Sequence, residues 1–164
     1  MKRLLVIVCA GCILAGCLTQ EPEAISGPRG EIILTISGNI TKFNAGDAFQ
    51  YDMENFKMLP YTTIETHDPH LDATIAYGGV LLKDILSSVD AKNAKEITII
   101  AKDGYSAVIK VEDLDLGILI AYIADGEEIT DKTGGPLKVI FSEEAQKVYG
   151  PESWVWWITN LEIS

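Results

Sequence analysis

Residues 77–86 read YGGVLLKDIL, an aromatic residue and two glycines followed by an aliphatic run that one Lys-Asp pair interrupts. From Val80 to Val89 the apolar side chains recur at the spacing of one helix face, with polar residues on the opposite side. The pattern predicts one amphipathic helix over this segment. Gly78 and Gly79 are predicted to supply the positive φ with which the backbone turns into that helix.

The segments around this helix have the composition of short β-strands. They are rich in β-branched and aromatic residues and are bounded by turn residues: Glu31–Ser37, Tyr61–Thr66, Glu96–Ala101, Tyr105–Val111, Gly117–Ala124, Leu137–Phe141 and Trp157–Ile163. Asp103-Gly104 predicts a hairpin between two of these strands, and Gly134-Gly135-Pro136 predicts a turn into a buried strand. We therefore expect a β-rich α+β domain with one or two short helices.

The N-terminus has the pattern of a bacterial-type lipoprotein signal peptide, predicted over residues 1–17. Lys2 and Arg3 precede an apolar run to Leu14, which is shorter than the roughly 20 residues that a membrane-spanning helix needs. Leu14-Ala15-Gly16-Cys17 is typical of a lipobox, whose cysteine receives the lipid. Cys12 is a weaker second candidate for the lipidated residue. We expect Cys17 to anchor the protein to the extracytoplasmic face of the cell membrane.

The remaining chain divides into a tether over residues 18–30 and a folded domain over residues 31–164. The tether contains two prolines and two glycines and has no apolar periodicity. Without Lys2 and Arg3, 11 basic residues face 24 acidic ones, which gives a net charge of −13. Nucleic acid is not an expected partner, because phosphate backbones are bound by surplus lysine and arginine.

Four segments, in order, resemble the oxidoreductase molybdopterin-binding domain family, which has the sulfite-oxidase fold. Residues 77–86 are similar to its Y-x-G-V-x-L-x-D-L-L segment, and residues 103–106 (DGYS) are similar to its next signature. Residues 120–140 contain AY, DGE and GGPLKVI in the same order as in the family. Residues 154–163 (WVWWITNLEI) are similar to the C-terminal segment of the family domain. The resemblance implies a molybdopterin-binding type of domain.

In catalytic members of that family, a cysteine thiolate from the strand before the first segment holds the molybdenum. The matching residues 62–70 (TTIETHDPH) contain no cysteine, and Thr66 aligns with the ligand position. The resemblance thus places Thr66, Tyr77 and Gly78 at the cofactor. A threonine hydroxyl does not replace a soft thiolate as a molybdenum ligand, and Arg29 is the only arginine after the signal peptide.

The same stretch suggests a different metal site. Both histidines of the chain and three carboxylates fall within eight residues: Glu65, His67, Asp68, His70 and Asp72. Imidazoles with nearby carboxylates bind divalent transition metals such as Zn²⁺, Cu²⁺ or Ni²⁺. If the strand continues to residue 67, Glu65 and His67 share one face, and Pro69 turns the chain to bring His70 round. The alternative interpretation is a solvated polar loop.

Three functions remain open on the sequence alone. The first is a lipid-anchored module whose cleft binds a small ligand, a metal ion or a partner protein. The second is a molybdopterin-dependent oxidoreductase that holds its cofactor without a cysteine ligand. The third is a structural or interaction domain with an empty cleft. Whether the chain is an enzyme is therefore undecided by its sequence.

Overall fold

The computed structural model describes residues 27–164, so Cys17, the predicted signal peptide and residues 18–26 of the predicted tether lie outside the described part. Within residues 27–164, every helix is too short or too polar to cross a bilayer.

The described residues form ten β-strands, two short α-helices and several 3₁₀ turns. The strands, in chain order, are β1 (Ile32–Gly38), β2 (Phe49–Asp52), β3 (Tyr61–Asp68), β4 (Ala73–Leu81), β5 (Glu96–Ala101), β6 (Ser106–Lys110), β7 (Ile118–Ala124), β8 (Glu127–Glu128), β9 (Lys138–Phe141) and β10 (Ile158–Ile163). The helices are α1 (Met53–Phe56) and α2 (Leu82–Ser88). The predicted β-rich α+β class is confirmed.

The strands are arranged in two sheets that share one hydrophobic core. The first sheet has the order β2-β1-β10-β5-β6, in which β1 and β10 are parallel and the other pairs are antiparallel. The second has the order β3-β4-β7-β8, and β9 also pairs with β7. The parallel pair places the first and last strands of the described fold side by side, with Gly38 at the end of β1 opposite Ile163 at the end of β10.

The turn chemistry read from the sequence agrees with the structure. Asp103-Gly104 closes the β5–β6 hairpin, where Gly104 has a φ of 88° that a residue with a Cβ rarely adopts. Gly134 has a φ of 95° and leads into β9, whose four residues are all buried. These two predicted turns are confirmed.

The structure corrects the prediction for residues 77–86. The segment is not a helix from Val80: β4 runs to Leu81, and α2 begins at Leu82. Neither Gly78 nor Gly79 has a positive φ. Both lie within β4, because a short aliphatic run fits a buried strand as well as a helix, and spacing alone does not separate the two.

The last two residues of the predicted tether are hydrogen-bonded to the folded domain. The backbone N–H groups of Arg29 and Gly30 donate to Asp52 Oδ2 at 2.7 and 2.8 Å. The other carboxylate oxygen of Asp52 accepts from the N–H of Asn55 at 2.8 Å and so caps α1. These hydrogen bonds lower the pKa of Asp52, and the bond from Asn55 makes the largest contribution. One carboxylate thus fixes both the start of α1 and the entry of the chain into β1.

Tyr51 gives a stability prediction at alkaline pH. Its side chain is fully buried, its hydroxyl lies 2.6 Å from Ser88 Oγ, and burial raises its pKa to about 12. The unfolded tyrosine ionises near pH 10, so the contribution of Tyr51 to stability is complete below pH 10 and is lost as the pH rises to about 12. We expect this loss to reach at most about 3 kcal/mol, a shift of one pKa unit being worth about 1.4 kcal/mol.

Urea denaturation at several pH values between 9 and 12 would measure this effect. Tyr51→Phe should flatten the fall in unfolding free energy over that range. Tyr61→Phe, at an exposed tyrosine, is the matched control and should keep the wild-type slope. A Tyr51→Phe protein with the wild-type slope would contradict the prediction.

Candidate functional site

Three polar side chains meet in the interior where β3, β4 and β9 come together. Alternation along β3 turns Thr66 and Asp68 inward, while Glu65 and His67 face outward. The hydroxyl of Tyr77, on β4, donates to Asp68 Oδ2 at 2.6 Å. Lys138 Nζ, on β9, lies 3.8 Å from the same oxygen, and the side chains of Lys138 and Asp68 are only 2% and 0% exposed.

The second oxygen of Asp68 holds the turn that follows β3. Asp68 Oδ1 accepts from the backbone N–H groups of His70 at 2.8 Å and Leu71 at 3.2 Å. A buried carboxylate needs such partners, because a charge removed from water is costly unless it is paired and hydrogen-bonded. Asp68 is therefore fully engaged within the protein.

Lys138 lies between that carboxylate and two aromatic rings. Its Nζ is 3.8 Å from the centroid of the Trp156 ring and 5.5 Å from that of Tyr77. Burial lowers the pKa of Lys138, and Asp68 opposes that shift. Burial and the neighbouring Asp68 raise the pKa of Tyr77. The interior thus contains an ammonium–carboxylate pair, with the tyrosine hydroxyl as a donor to the carboxylate.

Thr66, which the family resemblance aligns with the metal ligand, is closed in by hydrogen bonds. Its hydroxyl donates to the carbonyl of Phe141 at 3.0 Å and accepts from Gln146 Nε2 at 2.7 Å. The same Gln146 nitrogen lies 3.1 Å from the carbonyl of His67 and 3.2 Å from that of Phe141. Gln146 therefore covers the Thr66 hydroxyl, and the residues at this position do not fit a molybdenum cofactor that needs a soft, open thiolate ligand.

The other two predicted cofactor residues are also engaged with protein groups. Tyr77 is 1% exposed and points its hydroxyl at Asp68. Gly78 lies under the ring of Tyr61, since a Cβ built on Gly78 would be 2.0 Å from the Tyr61 hydroxyl oxygen. The glycine therefore makes room for a side chain of the neighbouring strand.

The residues of the predicted transition-metal site are placed on different sides of the chain. Glu65 and His67 do share the exposed face of β3, but Asp68 points into the core. His67 Nε2 lies 3.6 Å from Asp72 Oδ1, whereas His70 Nε2 lies 2.9 Å from the carbonyl oxygen of Pro151. Within residues 27–164, no three His, Cys, Asp or Glu side chains are grouped as a metal site.

A cleft of about 790 Å³ opens where the beginnings of β1 and β10 approach the loop before β9. Its charged lining residues are five acids and one lysine: Glu31, Asp52, Glu54, Glu128, Asp131 and Lys102. Lys57 Nζ reaches Glu128 Oε1 at 2.8 Å. The cleft therefore favours a cationic or neutral ligand over a phosphate-bearing one.

Two residues of the interior cluster were not predicted from the sequence. Lys138 and Gln146 lie about 70–80 positions after the residues that they contact, Asp68 and Thr66. A lysine inside the otherwise apolar strand KVIF was the available signal for Lys138, because lysine is almost never fully buried unless it is paired. No comparable signal marked Gln146.

The comparisons with known proteins agree with this fold. The sequence matches the family model described as "Oxidoreductase molybdopterin binding domain" over residues 47–164. The sulfane dehydrogenase SoxCD from Paracoccus pantotrophus has a similar fold, with a TM-score of 0.63 and 18% sequence identity. The similarity covers 79% of this chain and 37% of the SoxCD chain. The search of curated proteins gave no significant match.

The family match covers more than half of the chain and includes all four segments on which the sequence resemblance rests. The chain belongs to the oxidoreductase molybdopterin binding domain family.

Proposed function

We propose that this protein is a lipid-anchored, extracytoplasmic binding module, in which the fold of a molybdopterin-binding domain serves a small ligand, a metal ion or a partner protein. The observation that carries the proposal is the hydrogen bonding of the Thr66 side chain, which stands at the position of the metal ligand. Its hydroxyl replaces the expected thiolate, and that hydroxyl already donates to Phe141 and accepts from Gln146. Thr66 thus offers a metal no thiolate, and its hydroxyl is already engaged as both donor and acceptor.

The charges of the domain support the same function. A pterin cofactor carries phosphate, and the large cleft presents five carboxylates and one lysine. Arg29, the only arginine after the signal peptide, has its backbone N–H bound to Asp52 at the edge of the fold. Thr66, Tyr77 and Gly78 do not line this cleft, and an anionic cofactor would meet mostly like charge there, so the cleft is unfavourable as an alternative phosphate site.

Metal and pterin analysis of protein purified from its native host tests the proposal. Because no thiolate is available and the Thr66 hydroxyl is covered, we expect neither molybdenum nor pterin in stoichiometric amount. Elemental analysis and the fluorescence of oxidised pterin are the measurements. One molybdenum and one pterin per chain would overturn the binding-module proposal.

Family membership favours a second candidate, a molybdopterin-dependent oxidoreductase that keeps its cofactor without a cysteine ligand. Gln146→Ala distinguishes the two candidates, because it uncovers the Thr66 hydroxyl without changing Thr66 itself. If the cofactor were held at Thr66, the variant should alter the cofactor content of the native protein. In a binding module, both proteins should lack the cofactor.

We propose that the lipid on Cys17 holds this domain at the membrane surface. The support is the order of Leu14, Ala15, Gly16 and Cys17 after a short apolar run. Cys17→Ala should abolish lipidation, so that the protein is left unprocessed or is released. Detergent phase partition and mass spectrometry of the N-terminus measure this, with Cys12→Ala as the matched control. Unchanged processing of the Cys17→Ala protein would contradict the anchor.

A further inference from the structure

Trp157 has a backbone conformation that is unusual for a bulky residue. Its φ is 52°, in the left-handed region that residues with large side chains rarely enter. Three hydrogen bonds hold it there: its N–H donates to the Gly134 carbonyl at 2.7 Å, its carbonyl accepts from the Lys102 N–H at 2.9 Å, and its indole N–H donates to the Asp131 carbonyl at 2.8 Å. Such over-determined strain clusters at ligand sites.

The indole of Trp157 forms part of the wall of a small aromatic pocket. The pocket has a volume of about 240 Å³ and lies between the β5–β6 hairpin and the segment before β10. Its aromatic lining consists of His70, Tyr105, Trp154, Trp156 and Trp157. Trp156 and Trp157 are tilted by 57° with their ring centroids 5.8 Å apart, so they form two walls rather than a stack.

The charge in this pocket is negative. Asp103 is its acidic lining residue, and Asp103 forms no ion pair with any residue in the described part of the chain. The neighbouring Lys102 lies nearer to Asp131, with its Nζ 3.9 Å from Asp131 Oδ1. The faces of aromatic rings add further negative potential.

The protein already places one ammonium group on a ring of this pocket. Lys138 Nζ lies 3.8 Å from the centroid of Trp156. Because Asp68 lies 3.8 Å from Lys138, the pair adds no net charge to the pocket. Lys138 does not line the pocket, so its ammonium contacts the Trp156 ring from outside the pocket, while Trp157 and Tyr105 form other parts of the lining.

We infer that this pocket, formed by Trp154, Trp156, Trp157 and Tyr105 with Asp103 at its edge, binds a small organic cation with a methylated ammonium group. A quaternary ammonium, in which alkyl groups replace every N–H, has no hydrogen bond to satisfy, so it is suited to aromatic walls that offer few hydrogen-bond acceptors. Asp103 is exposed, so it adds an ionic attraction at the edge of the pocket that a neutral ligand would not gain. The inference rests on the proposed binding function and names the ligand class.

Choline is the probe that tests this inference, and its neutral isostere 3,3-dimethylbutan-1-ol is the matched control ligand. The two molecules share their shape and differ in charge, so the difference in their affinity isolates the cation–π and ionic contribution. We expect saturable choline binding to the full chain in detergent, and at least about tenfold weaker binding of the isostere. Isothermal titration and tryptophan fluorescence measure both.

Two variants locate the site. Asp103→Asn keeps the oxygen that accepts from the Tyr105 N–H at 3.0 Å but removes the charge, so it should weaken choline binding and leave the isostere unaffected. Trp157→Phe should also weaken choline binding, since benzene is a poorer cation platform than indole. Phe43→Ala, at an exposed ring beyond the end of β1 and therefore at the opposite end of the β1–β10 pair, should change nothing.

Equal affinity for choline and the isostere, no saturable choline binding at millimolar concentration, or unchanged binding by Asp103→Asn would each overturn the inference. These failures leave the proposed function standing if the native protein is free of pterin. Stoichiometric molybdenum and pterin would instead refute the proposed function, whatever the choline result.

Discussion

Asp68→Ala is expected to lower the free energy of unfolding by about 3–5 kcal/mol, the cost of breaking a buried ion pair by removing one partner. Asp68 is completely buried and accepts from Tyr77 while lying 3.8 Å from the Lys138 ammonium. Its removal leaves that ammonium without a carboxylate and the Tyr77 hydroxyl without an acceptor. Urea denaturation measures the loss.

A double-mutant cycle with Lys138→Met separates the pair from its surroundings. The double variant Asp68→Ala/Lys138→Met should be less destabilised than the two single losses added together, because neither charge is then left alone in the core. Additive losses would contradict a coupled buried pair.

The matched control for this cycle is an exposed ion pair. Asp115 Oδ1 lies 3.1 Å from Lys83 Nζ, and the Asp115 side chain is 89% exposed. Asp115→Ala should cost less than about 1 kcal/mol, as is usual for surface pairs. If Asp68→Ala lowered the free energy of unfolding no more than Asp115→Ala does, burial would not set the strength of the interior pair.

Gly79→Ala is expected to cost at least about 3 kcal/mol, at the upper end of the usual penalty for overpacking. A Cβ at Gly79 would lie 2.2 Å from the carbonyl oxygen of Ile120 and 2.7 Å from the Cα of Ala121. Both contacts are with the backbone of β7, which has no rotamer to yield. The strands would have to separate at the point where the β4–β7 register already shifts.

Gly27→Ala is the matched control, because a Cβ at Gly27 would meet nothing within 4 Å. It should leave the free energy of unfolding almost unchanged. Denaturation of both variants under the same conditions gives the comparison. A Gly79→Ala protein as stable as the Gly27→Ala protein would contradict a close approach of the β7 backbone to Gly79.

The family and most strands could be predicted because their signals are local. Asp103-Gly104 requires a tight turn wherever it occurs between β-rich runs, and the strands that flank it pair as expected. Glu65 and His67 share a face because alternation along a strand is a property of the backbone. Such features depend on residues close in sequence.

The helix boundary and the glycines of residues 77–86 could not be predicted in the same way. The aliphatic run from Val80 fits a buried strand and a helix equally well, and pairing with β7 decides where β4 ends. Gly79 serves close packing rather than a turn, and the group that it admits, the Ile120 carbonyl, comes from a strand about 40 residues away.

The candidate site shows the same division. The sequence by itself determined the family, through residues 77–163, and the lack of a thiolate at Thr66, because both depend on residue identity and order. The anchor at Cys17 stays a prediction from the same kind of local signal. Only the tertiary structure decided that Asp68 faces inward to Lys138, that Gln146 covers Thr66, and that His70 is directed to Pro151 rather than to His67. Each of these contacts joins residues about 70–80 positions apart, and side chains that distant meet only when the sheets bring their strands together.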